Sequence, residues 1–303
     1  PKKLAVFRQW QQFQRFISDL DNAAIQLLGD ASTSAYSFFA AVLHLNTSAS
    51  NLVTHFGPSV DTFAMTPLKF SSQLPQMVND IQDTTKNTTR SEVSDLAVAI
   101  ALCYTNAASI SKAVSFDDVL RLLWSTASLS HDEDDTPSDR DSEVIRDFFR
   151  NASDGELNSA LAFVKGKLKR FGQTGHLDSR CDPASLQMLT ILCMCRGSWL
   201  YTARGDMVKL LLLLSTKAAT FLLCGDSEWR LVLMTLQLMS AVVSRPRSVV
   251  LSSADVAVCL RSSLAVLEYT VDGKFDSSVS RKRTLIDATV NVVLSILRHR
   301  PRN

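Results

Sequence analysis

Apolar residues recur every three or four positions along almost the whole chain, and two segments depart from that rhythm by being apolar on nearly every face. Met207–Cys224 carries a run of five leucines, then Ser-Thr-Lys and Ala-Ala-Thr-Phe-Leu-Leu, and Trp229–Val243 is again almost continuously apolar. Between them, Gly225 suits the left-handed close of one helix and Asp226 the cap of the next. The pattern predicts an antiparallel helix pair, buried on several sides and covered by flanking helices.

Ordinary helical stripes account for most of the rest. Leu4, Phe7, Trp10, Phe13, Ile17, Leu20 and Ala24 mark an N-terminal helix with an aromatic face that ends before Gly29-Asp30. A second helix is expected over Thr33–Leu45, its aromatic cluster Tyr36, Phe38 and Phe39 packing on the first. Pro58, Pro67 and Pro75 then break a less regular connector. Helices are expected at Gln73–Thr85, Ser91–Ala113, Ser115–Leu129, Glu143–Asn151, Leu157–Phe171, Pro183–Arg196, Ser252–Tyr269 and Val279–His299. Start signals stand at Ser115-x-x-Asp118, Ser153-x-x-Glu156, Asp182-Pro183 and Ser252-x-x-Asp255. Thr284-x-x-Asp287 either opens a helix or lies inside one.

Period-two alternation is missing, and no Asn-Gly or Asp-Gly turn joins β-rich runs. The expected fold is therefore all-α. No fixed-period repeat is readable, so the expected architecture is an irregular α-solenoid of stacked antiparallel helix pairs, similar in outline to HEAT and armadillo proteins. His131–Ser142 is acidic, lacks apolar residues and contains Pro137, which predicts a solvated, mobile loop. The expected organisation is an N-terminal helical part over 1–130, this loop over 131–142, and a C-terminal helical part over 143–303.

Composition narrows the function classes. The chain has 303 residues, enough to bury a substantial core, and a formal charge of +2, too small for a protein that wraps nucleic acid by bulk charge. It opens Pro1-Lys2-Lys3 and closes Arg298-His-Arg-Pro-Arg-Asn303 at the foot of a helix, which reads as a piece of a longer polypeptide. No signal peptide is expected, because Arg8, Gln9, Gln11, Gln12 and Arg15 interrupt the first apolar residues. Lys209 and Lys217 similarly argue against a membrane span at Met207–Cys224. The six cysteines fall mostly in apolar helical runs and read as reduced core thiols of an intracellular protein. Sequons at Asn46, Asn87 and Asn151 are too short a pattern to change that compartment.

Candidate chemistry is sparse. Cys193 and Cys195 are two apart on a helix and point about 200° from each other, which does not suit one shared ion. His176, Asp178 and Cys181 share a polar linker without the third group a nucleophilic site needs. Walker loops, dinucleotide fingerprints, nucleophile elbows and paired-histidine motifs are missing from the sequence. No catalytic residue, metal or cofactor is expected. Three basic clusters could meet phosphate or RNA by charge alone: Lys165, Lys167, Lys169 and Arg170; Arg281, Lys282 and Arg283; and Arg298, Arg300 and Arg302. Thr136 and Ser138 among carboxylates suggest a modifiable acidic stretch. Trp10 and Phe13 on the first helix, with Trp199 and Tyr201 between Gly197 and Gly205, are candidates for a partner interface.

Trp229–Val243, the following Ser-Arg-Pro-Arg-Ser, Leu251–Asp255 and the closing Val293–Arg300 together resemble the C-terminal part of the Urb2/Npa2 family, over roughly 70 residues. These are large helical nucleolar proteins that help assemble the early large ribosomal subunit. The resemblance implies a non-enzymatic scaffold in the nucleus or nucleolus that binds other assembly factors and pre-ribosomal RNA. From the residues alone, the expectation is a helical scaffold within a large intracellular assembly, with no membrane and no small-molecule substrate. The alternative is an RNA-binding helical protein such as a viral nucleoprotein.

Overall fold

Each apolar stripe becomes a helix. A computed structural model describes residues 2–28, 33–55, 68–77, 90–106, 114–130, 139–168, 182–195, 197–223, 229–244, 251–272 and 278–298. Among these every regular element is helical. The helices are α1 (Lys2–Leu27), α2 (Thr33–His55), α3 (Arg90–Asn106), α4 (Phe116–Ser130), α5 (Asp139–Asn151), α6 (Asp154–Lys167), α7 (Asp182–Cys195), α8 (Gly197–Leu223), α9 (Trp229–Val243), α10 (Ser253–Val271) and α11 (Val279–Arg298), with a 3-10 turn at Lys69–Gln73. The acidic stretch 131–138, the linker holding His176, Asp178 and Cys181, and the Gly225-Asp226 turn lie outside the described residues.

The chain divides into two compact units, α1–α5 and α6–α11, at Asn151–Ala152. The expected division at the acidic stretch is displaced because α5 carries Val144, Ile145, Phe148 and Phe149 into the first unit's core. Residues 139–142, expected in the loop, form the first turn of α5.

In the first unit α3 is central, packed by α2, α4 and α5. The expectation for α3 was a single buried stripe, but Leu96 through Ala101 are all buried. Three alanines in that run keep the helix thin enough to be surrounded. Phe116 stacks on Phe148 at 4.7 Å between ring centres, and Tyr104 joins them at 5.6 Å from Phe148. α2 extends to His55, ten residues past the expected end, which places the sequon residue Asn46 inside a helix and buried.

In the second unit consecutive helices pack as α6 with α7, α8 with α9, and α10 with α11. Two rows cross these pairs: α6, α8 and α10 in one, α7, α9 and α11 in the other. Long-range pairs fix the direction within each row. Asn158 and Lys165 of α6 meet Trp199 and Asp206 of α8, seven residues further along both helices. Trp229 and Ser240 of α9 meet Arg281 and Ser295 of α11 in the same order. α6 and α8 therefore run parallel, and so do α9 and α11. The five residues between α8 and α9 cannot retrace a 27-residue helix of about 40 Å, so α8 and α9 run antiparallel.

α9 matches its pattern, with Leu231 through Leu236 continuously buried. α8 does not. It starts at Gly197 rather than Met207, and it buries Met207, Leu211, Leu214, Ser215 and Ala218 while Leu213, Thr216 and Lys217 are exposed. The leucine run is the apolar face of an amphipathic helix plus its shoulders. Among the described residues no helix is long and apolar enough to cross a membrane.

Candidate functional site

Charge is the only sequence signal of the three basic clusters. Lys165 Nζ donates to Asp206 Oδ2 at 2.8 Å, bridging α6 to α8. That hydrogen bond, and then the lysine charge, hold the Asp206 carboxyl below its usual range. Lys167 lies over the Phe163 ring at 5.2 Å. Lys169 and Arg170 lie outside the described residues. Lys165 and Lys167 are two apart and so occupy different faces of α6. Of the described part of this cluster, one cation is neutralised by a carboxylate and the other stacks on a ring.

Arg281, Lys282 and Arg283 occupy the first turns of α11, whose start is marked by Ser278 Oγ accepting the Arg281 backbone N–H at 3.4 Å. Cations at a helix N-terminus oppose its dipole by about 0.3–1 kcal/mol each. Cation–π contact offsets part of this, since the Arg281 guanidinium lies 5.4 Å from the Trp229 ring. Arg230 approaches the same ring at 5.8 Å. Arg298 closes α11, and Arg300 and Arg302 lie outside the described residues. Fifteen residues of helix put Arg283 and Arg298 about 22 Å apart. The second and third clusters thus stand at opposite ends of one helix and form no single groove. Arg230 joins the second cluster only because α9 and α11 lie side by side and parallel.

The aromatic candidates separate. Trp10 and Phe13 are half-buried on α1 with ring centres 5.6 Å apart. Phe16, one turn on, is exposed, and Leu20 is half-buried. This aromatic edge runs along the flank of α1 beyond the buried line of Ile17, Asp21 and Ala24. Trp199 is corrected: it is 1 % exposed, and its Nε1 donates to Asn158 Oδ1 at 2.8 Å. Trp199 was expected to be exposed between two glycines, but Gly197 begins α8 and Gly205 lies within it, so Trp199 faces inward as a helical residue. Tyr201 lies on α8, and its side chain falls outside the described residues.

Cys193 is buried and Cys195 half-buried on α7. Cys259 sits between α8 and α10 with Sγ 3.9 Å from Ser215 Oγ, and burial pushes its thiol pKa up. Among the described residues no group of three His, Cys, Asp or Glu could hold a metal ion.

Sequence reasoning missed one feature. Val290, Leu294 and Leu297 on α11 form an exposed apolar strip, and Leu264 and Val271 on α10 are exposed as well. The signal was present in α11, whose apolar residues span about half of the helix circumference while its buried line, Leu285, Thr289, Val292 and Ile296, takes a narrow arc. Comparison with known proteins adds no relative: no family model, curated protein or solved structure matches the chain.

Proposed function

We propose that this chain is a non-enzymatic scaffold, an α-solenoid segment of the HEAT or armadillo kind whose uncovered helix faces hold other proteins in a large assembly. The observation that carries the reading is the second unit's two rows of helices, with α6 parallel to α8 and α9 parallel to α11, an arrangement that stacked helix pairs generate. Such stacks present long surfaces and leave their outermost helices partly uncovered. The aromatic edge of α1, with Trp10, Phe13 and Phe16, is the proposed partner surface. Early large-subunit ribosome assembly in the nucleolus is the setting the Urb2/Npa2 resemblance suggests. Its residues fall on α9, the start of α10 and the end of α11.

The test is affinity purification of the full-length protein, with proteins and RNA identified together, beside a Phe13→Asp/Phe16→Asp variant. A stable set of proteins lost from the variant, with circular dichroism unchanged, is expected. Identical partners with and without the substitutions would remove α1 from the proposal, and a particle without ribosomal assembly factors would remove the setting. An RNA-binding protein is the second reading, favoured by Arg230, Arg281, Lys282 and Arg283 at adjoining helix starts. It predicts salt-sensitive RNA retention that falls when Lys282 and Arg283 are reversed in charge.

A further inference from the structure

The apolar strip on α11 belongs to no contact described so far. Val290 is 41 % exposed, Leu294 40 % and Leu297 59 % on α11, with Leu264 at 48 % on α10. At about 100° per residue, the three α11 side chains lie roughly 150° round the helix from Arg281 and Ser295, the residues that meet α9. The strip therefore faces away from α9. Exposed apolar area of this kind, a few hundred Å², is near the largest that monomers leave uncovered.

We infer that α11 is a self-association surface that takes a second copy of this chain, α11 against α11, antiparallel about a two-fold axis. The argument is the pattern of charge and apolar residues along the strip. Asp287 and Arg298 are exposed and eleven residues apart, about three turns, so they share one edge of it. Among the described residues neither is held in an ion pair within the chain. In an antiparallel two-fold pair, residues meet when their numbers share a constant sum, and every contact occurs twice. An axis passing near residues 292–293 sets Asp287 against Arg298 of the second copy. The same axis brings Val290 to within one residue of the position facing Leu294, and the half-buried Ile286 to within two of the position facing Leu297. One register thus brings the charged edge and the apolar strip together with a stagger of at most about 3 Å along the axis. A parallel pair would instead set Asp287 on Asp287 and Arg298 on Arg298, which repel. The polar rim around the strip extends the contact toward the roughly 800 Å² per partner of a stable interface.

Sedimentation equilibrium of the 303-residue chain tests the inference. The unaltered chain is expected to dimerise with a Kd on the order of micromolar. Leu294→Glu should give a monomer with unchanged circular dichroism and melting. Asp287→Arg alone and Arg298→Asp alone should each weaken the homodimer at least about tenfold, because each places like charges together twice. Mixed in equal amounts, these two variants should form a heterodimer as tight as the unaltered homodimer, since each then meets the opposite charge. A chain that stays monomeric at about 100 μM overturns the inference. So does a dimer indifferent to all three substitutions, or a mixture of the two charge variants that fails to pair.

Discussion

Asp21, on the buried line of α1, accepts the backbone N–H of Lys69 at 2.8 Å and of Phe70 at 3.0 Å. One carboxylate thereby caps the 3-10 turn Lys69–Gln73 and pins it beside α1. Asp21→Ala leaves two backbone donors without their acceptor in a largely buried place, and should lower stability by about 2–3 kcal/mol in urea denaturation. Nothing near Asp21 in sequence announces this, because its partners are 48 and 49 residues away. Gly205 gives the opposite case. It sits inside α8, exposed, and a Cβ there would meet nothing within 4 Å. Gly205→Ala should raise stability by about 0.5–1 kcal/mol, read as a higher denaturation midpoint at unchanged slope. The sequence pattern placed this glycine at a break between helices. A single glycine is too small a penalty to stop a helix whose packed face continues through Trp199 and Met207.

Helix starts were the most legible elements. Ser153 Oγ accepts the Glu156 N–H at 3.3 Å while Glu156 Oε2 accepts the Ser153 N–H at 2.7 Å. Ser252 and Asp255 reproduce the same reciprocal box. These devices involve residues three apart, so no tertiary information is needed to see them. Ser153→Ala and Ser252→Ala should each cost about 1 kcal/mol, additively because the two caps stand on different helices, as chemical denaturation of the single and double variants would show. The Thr284 pattern lies inside α11, where the Thr284 hydroxyl donates to Ser280 O at 3.0 Å. Between elements, the Lys165–Asp206 bridge ties α6 to α8 near the surface. Asp206 has a folded pKa below the ordinary 3.8, so its contribution is complete above that value and is lost as pH falls through the lowered one. Solvent screening keeps it under about 1 kcal/mol. Asp206→Asn should therefore lower the melting temperature slightly at pH 7 and not at pH 2.

At the scale of the molecule, the two units have separate cores, one around α3 and one around α9. Fragments 1–151 and 152–303 should therefore each retain helical circular dichroism and cooperative unfolding, and a fragment without a cooperative transition would refute that independence. All-α character, most helix positions and the buried centre at Trp229–Val243 were legible in sequence, because helical periodicity and caps are short-range properties of the chain. The burial of α8 on one face only, the inward turn of Trp199 and the assignment of α5 to the first unit were decided by tertiary structure. A leucine run records how apolar a helix is, and only the placement of neighbours determines how many of its sides are covered. The same reason governs the candidate surfaces. Sequence groups cations that are neighbours along the chain, whereas folding pairs Lys165 with Asp206 and gathers Arg230 and Arg281 at one ring. It also leaves Val290, Leu294 and Leu297 of α11 exposed.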